Sequence, residues 1–130
     1  HITTYREGNE EGLQVRFDRE TGSRLREYYK KNNRYDGLYR EYDPSTGELV
    51  YEATYEFGRL NGKAKSLVRD NRFDYWETST YANGRQTGPF ESRYVKNDRV
   101  RETGTYRNGH RTGRWKRYDI NGKLEMEWEE

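Results

Sequence analysis

Two stretches decide the fold: YANGRQTG at residues 81–88 and YRNGHRTG at 106–113. Each opens on Tyr, reaches Asn-Gly two residues later and ends on a second Gly. Asn-Gly readily takes the positive φ angles of a two-residue hairpin turn, which β-branched residues resist. The same Tyr, followed about seven residues on by Gly, recurs at Tyr5/Gly12, Tyr29/Gly37, Tyr55/Gly62, Tyr81/Gly88 and Tyr106/Gly113. The Tyr-to-Tyr spacings are 24, 26, 26 and 25 residues, so the chain is a repeat array.

The correspondence runs on inside each unit. About five residues past the second Gly stand Phe17, Tyr42, Leu67, Tyr94 and Tyr118. A turn follows, written DRETG (18–22), DPSTG (43–47) or DING (119–122), and DNR (70–72) or KNDR (96–99) in the other two units. Then come Leu25, Leu49, Phe73, Val100 and Leu124, and after each a Glu: Glu27, Glu52, Glu77, Glu102 and Glu127. Short runs rich in Tyr, Val, Thr and Phe between Asn-Gly and Asp/Gly turns read as strands, and a Gly nearly every ten residues breaks any helical period. Asn61-Gly62, Asn83-Gly84, Asn108-Gly109 and Asn121-Gly122 are all expected in turns. The expectation is an all-β fold: about five hairpins, at 5–28, 29–54, 55–80, 81–105 and 106–130, in one domain spanning 1–130 as an elongated, twisted antiparallel meander. One hairpin cannot hide an apolar face, but stacked hairpins bury a continuous row.

Composition limits that core. Leu, Ile, Val and Phe number only 18 of 130, and 37% of residues are charged. Against disorder stand a net charge of only +2 and an aromatic fraction of 15%, with 13 Tyr and 3 Trp. Rings and the aliphatic stems of Arg and Lys must therefore make the core, and it should be thin. There is no cysteine, which removes disulfides, thiolate metal sites and thiol nucleophiles. No apolar run approaches the roughly 20 residues of a membrane-spanning helix. The first residue is His1 and not Met, read as the start of a processed or truncated chain. The compartment stays open between a bacterial cytoplasm and, with a removed upstream signal, the periplasm or cell envelope.

The pattern Y-x-N-G-x-x-x-G, with WKRYDINGKL (115–124) after its last copy, resembles the variant MORN repeat of bacterial antitoxin-type proteins. The likeness spans nearly the whole chain. It is strong in the last two units, clear in YEFGRLNG (55–62) and weaker in YREGNEEG (5–12) and YKKNNRYDG (29–37). The resemblance implies a β-hairpin array with a binding role, as an antitoxin or immunity protein or as a docking scaffold. It names no partner.

Catalytic chemistry finds little footing. The histidines are His1 and His110, the latter in the turn after Asn108-Gly109, where a solvated loop side chain is expected. Two histidines without cysteine do not assemble an ordinary structural zinc site. Neither a Gly-x-Ser-x-Gly elbow nor a Gly-rich phosphate loop occurs. The once-per-repeat Glu is expected to be structural, pairing with Arg or Lys on a neighbouring strand, and not half of a glycosidase pair. DRETG and DPSTG lack calcium-loop spacing and read as plain turns. No catalytic residue, metal or cofactor is expected.

Charge is less uniform. Residues 85–117 hold ten Arg or Lys against Glu91, Asp98 and Glu102, a net of +7, whereas 119–130 is acidic. Two aromatic columns run out of phase: Tyr39, Phe90 and Trp115 two residues past the repeat Gly, and Phe17, Tyr42, Leu67 and Tyr118 further on. Odd and even offsets point to opposite strand faces, so one column can line the core while the other is exposed, or both can pack inside. The candidate partner-binding set is Phe90, Arg107, Arg111, Arg114, Trp115, Arg117 and Tyr118, since interface hot spots favour Trp, Tyr and Arg. The leading expectation is a non-enzymatic, toxin-neutralising or immunity-type protein that occludes a toxin or effector with its surface. The alternative is an exported or membrane-peripheral scaffold that contacts anionic lipid or envelope components through 85–117. Nucleic acid is the least favoured partner, because no nucleic-acid motif appears and Arg is balanced by Glu elsewhere.

Overall fold

In the structure, a computed structural model, residues 5–6 and 9–130 are described, with side chains from residue 11 onward. His1 and Gly8 lie outside the described residues. The described residues are all β, without a helix. The strands are β1 (Tyr5–Arg6), β2 (Asn9–Glu10), β3 (Gly12–Phe17), β4 (Arg24–Lys31), β5 (Arg34–Tyr42), β6 (Leu49–Glu56) and β7 (Arg59–Val68). They continue as β8 (Tyr75–Ala82), β9 (Arg85–Gln86), β10 (Gly88–Tyr94), β11 (Val100–Arg107), β12 (His110–Tyr118) and β13 (Leu124–Glu129). The chain divides into two compact units, residues 1–62 and 63–130, and β7 runs from the first into the second.

Each unit is an antiparallel meander, as the repeat predicts. In the first, β3, β4, β5 and β6 pair in sequence order, and β1 pairs with β2. In the second, β8 pairs with β10, β10 with β11, β11 with β12 and β12 with β13, while the short β9 folds back on β8.

The two glycines of the repeat do different work. The first sits in the hairpin turn: Asn83 and Gly84 have φ of 50° and 82°, and Asn108 and Gly109 have 49° and 85°. The second lies inside a strand where the pairing slips. Gly113, at φ 71°, sits opposite the shift between Thr103 and Thr105, so it makes a bulge that re-aims the strand after it. This corrects one expectation. Asn61-Gly62 is not a turn but part of β7, and the turn before it is Phe57-Gly58, with φ of 51° and 79°. The Tyr55 unit places its turn Gly at 58, so Gly62 holds the in-strand position.

The Asp-led turns use their own side chains. Asp18 Oδ1 accepts from the N–H groups of Glu20 and Thr21, Asp43 Oδ1 from Ser45, and Asp119 Oδ1 from Asn121 and Lys123. The Thr21 and Glu20 N–H groups hold the Asp18 carboxyl below its ordinary pKa.

The core is one residue thick. Of the two aromatic columns, the one two residues past the in-strand Gly is buried: Gln14, Tyr39, Ala64, Phe90 and Trp115. The other is only partly covered at Tyr42, Leu67 and Tyr118 and exposed at Phe17, at 41%, although Tyr94 at the same repeat position is buried. In the first unit the register sets Gln14, Tyr28, Tyr39 and Ala53 in a cross-strand row, and Tyr35, Tyr51 and Tyr55 close around Tyr39 with ring centroids 5.4–6.0 Å away. In the second the row is Phe90, Gly104, Trp115 and Trp128. Such rings carry the burial that a chain poor in aliphatic residues lacks.

Candidate functional site

The basic stretch of the second unit converges on one carboxylate. Glu102, on β11, is 4% exposed, and three guanidinium groups reach it: Arg101 at 3.4 Å, Arg111 at 3.4 Å and Arg117 at 3.5 Å. Register explains two of these. Arg117 stands directly opposite Glu102, and Arg111 stands opposite Tyr106, two same-face positions further along β11 with Gly104 between. Each arginine also rests on a ring. Arg101 lies 3.8 Å over Tyr75, Arg111 lies 4.3 Å over Trp115, and Arg117 lies 5.6 Å from the Trp128 centroid. Arg111 Nε further donates to the Tyr106 hydroxyl at 3.3 Å.

The rings below are held by a residue that sequence reading passed over. Trp115 is fully buried because Gly104 lies beneath it, and a Cβ at Gly104 would come within 2.1 Å of the indole. Phe90 and Tyr106 pack on the same indole at 5.4 Å, and Trp128 stacks on it at 6.2 Å. One signal was readable: Gly104 alone breaks the alternation of large and β-branched residues in VRETGTY.

The expected binding set therefore divides. Trp115 and Phe90, 0% and 6% exposed, are core and present no surface to a partner. Arg111 and Arg117 form the cationic layer above them. Arg114 points to the other face, where Glu127 and Glu129 take it, the second at 3.0 Å. Arg107 is exposed at the end of β11, opposite His110, and Tyr118, half-buried, accepts the Tyr94 hydroxyl on its backbone carbonyl at 2.7 Å. His110 is likewise exposed.

The recurrent Glu is structural in part, but it is not one position. Glu27 and Glu52 flank Arg40, which bonds both, at 3.4 and 2.8 Å, on the face opposite the buried Tyr39. Glu127 likewise lies opposite Lys116, on the face away from Trp115. Glu77 and Glu102 instead flank Ser92 on the buried face. A one-residue difference in spacing flips the side chain, so the column that sequence aligned splits between two faces.

Among the described residues Glu77 is the one carboxyl whose pKa is raised. Burial pushes it up, and the charge of Glu102 adds to that against the pull of Arg101 and Arg111. Glu27 moves the other way: burial raises it, but the Tyr42 hydroxyl, Arg24 and Arg40 outweigh burial and hold it below its ordinary value. Among the described residues no group of three or more His, Cys, Asp or Glu could hold a metal ion. An open groove of the second unit, about 390 Å³, mixes Asp70, Asp119 and Glu125 with Arg72, Arg101 and Arg117 beside Tyr94.

Neither a protein-family model nor a curated protein sequence matches this chain.

Proposed function

We propose that this is a non-enzymatic protein-binding module of the variant MORN-repeat kind, a toxin-neutralising or immunity-type protein that acts by covering a partner's surface. The observation that carries the reading is the Glu102 cluster. Three guanidiniums are fixed on rings and on one buried carboxylate, so their outer edges present a rigid cationic surface. Fixed side chains lose little entropy on binding, and such a surface recognises an acidic one without a reacting group of its own. The repeat pattern of the last two units supports the kinship.

The membrane-peripheral reading has less behind it. Five of the ten cations in 85–117 are already held by carboxylates: Arg93 by Glu91, Arg101, Arg111 and Arg117 by Glu102, and Arg114 by Glu127 and Glu129. Cations already paired release few counterions at an anionic bilayer.

The test is co-purification with the product of the neighbouring gene. A stoichiometric complex is expected, weakened at least tenfold by Arg107→Glu with an unchanged melting temperature, since Arg107 is exposed and away from the core. A protein that captures no such product and leaves its activity intact overturns the proposal.

A further inference from the structure

We propose that the outer edge of β13 is a docking site for an extended strand of a partner protein, one with basic residues at alternate positions. This rests on the protein-binding reading and names a second surface for it, distinct from the guanidinium layer.

The edge is open. Among the described residues β13 pairs with β12 alone. The Glu130 N–H donates inward to the Gly113 carbonyl at 2.9 Å. Because antiparallel strands alternate the direction of successive backbone groups, the N–H and C=O of Glu127 and Glu129 face outward, unshared by the sheet. Such a row is a template for another strand.

Two side-chain rows end unfinished at that edge. On one face, the rings of Phe90, Trp115 and Trp128 run outward, and Met126 beside them is 52% exposed. On the other face stand Glu127 and Glu129, both served by Arg114 from the inner side. The strand LEMEWE holds three carboxylates and no cation, whereas β12, its partner, carries Arg111, Arg114, Lys116 and Arg117.

The protein already shows what completes such a row. In the first unit Arg40 lies on β5 between two glutamate strands and bonds Glu27 on one side and Glu52 on the other. A glutamate strand is matched here by basic strands, and β13 has one on a single side. An incoming strand with Lys or Arg opposite Glu127 and Glu129, and apolar residues continuing the Met126 and Trp128 row, supplies the missing one. Its charge pattern also selects against acidic or neutral strands, because the edge carboxylates repel the former and leave the latter unpaired.

The experiment uses the full chain and three synthetic eight-residue peptides: one alternating Val with Lys and Arg, one alternating Val with Glu, and a scramble of the first. Amide hydrogen exchange is followed by NMR. The basic alternating peptide is expected to slow exchange at Glu127 and Glu129 at least tenfold, with the acidic and scrambled peptides inactive. Glu127→Pro, which removes an outward N–H and leaves the inward bonds, should abolish the effect, while Glu127→Ala weakens it severalfold. Should the proline variant not fold, the pair Glu127→Lys with Glu129→Lys serves instead and should turn the preference to the acidic peptide. Protection by none of the peptides, or protection indifferent to their charge, overturns the proposal. So does protection without peptide that grows with protein concentration, the sign of a second copy at the edge. A neighbouring-gene product that binds Glu127→Pro as tightly as the parent refutes this edge alone, whereas absence of any such product from the complex refutes the binding-module reading.

Discussion

In the first unit one arginine, Arg40, serves two glutamates on an outward face; in the second one glutamate, Glu102, serves three arginines on the buried face. Both arrangements grow from the same repeat, with Arg on one strand and Glu on its neighbours. The difference lies in depth. Arg40 has 37% of its side chain exposed and Glu52 has 28%, whereas the Glu102 side chain is 5% exposed. A carboxylate that deep must be matched by more than one cation, because desolvating an unpaired charge costs several kcal/mol. The cores differ in parallel. Tyr39 faces Ala53 in the first unit, and Trp115 lies over Gly104 in the second, so the larger ring is met by the smaller residue.

That pairing of ring and small residue is where the units can be driven furthest apart. Gly104→Ala forces a methyl into the Trp115 indole and should cost about 3 kcal/mol, at the upper end for overpacking. Trp115→Ala, which empties the same site, should cost about 4 kcal/mol. Ala53→Gly in the first unit removes only a methyl and loosens a strand, for about 1 kcal/mol. Strand-resolved hydrogen exchange checks this ranking, and equal losses for Gly104→Ala and Ala53→Gly would mean that Trp115 does not depend on the glycine.

The ion clusters come next. Glu102→Ala strands three guanidiniums above an aromatic core and should cost about 2–3 kcal/mol, below the full cost of a broken buried pair because the arginine heads reach water. Arg40→Ala removes a half-exposed partner and should cost about 1 kcal/mol. Urea denaturation with unchanged m-values tests both. A Glu102→Ala loss no larger than that of Arg40→Ala would show that the burial of Glu102 carries no energetic weight.

Much of this was legible beforehand, and the illegible part has a common cause. The Tyr and Gly spacings reveal hairpins, their number and the Asp-led turns, because those residues act through their own backbone geometry. Burial of Trp115 was not legible, since Trp at that offset reads equally as core or as surface anchor until the register places Gly104 under it. The split of the glutamates was missed for a related reason. Strand side chains alternate with period two, and a spacing ambiguous by one residue cannot say which face Glu77 shares with Glu27. Asn61-Gly62 misled because its composition is that of a turn, while the hairpin had already closed at Phe57-Gly58. Nothing local in the sequence announces that, among the described residues, β13 pairs with β12 alone.

The smallest contrast concerns acid. Glu27 in the folded first unit has a pKa below its ordinary value of 4.5, so its ionised form is favoured by folding. That contribution is full above the unfolded value and disappears as the pH falls through the depressed folded one. Glu77 in the second unit is raised above 4.5, so the folded state takes up its proton first. Acidification from neutrality toward 4.5 therefore relieves the second unit at Glu77 before it weakens the first at Glu27. Exchange rates for amides of β4 and β5 should rise as the pH falls below 4.5, while those of β8 and β10 should hold steady or fall slightly as the pH comes down to 4.5 from neutrality. Glu77→Gln should flatten the second response and leave the first untouched. Parallel acid profiles for the two units, or a Glu77→Gln profile identical to the parent, would remove the assigned difference between a carboxyl pressed by burial beside another carboxylate and one held by a hydroxyl and two arginines.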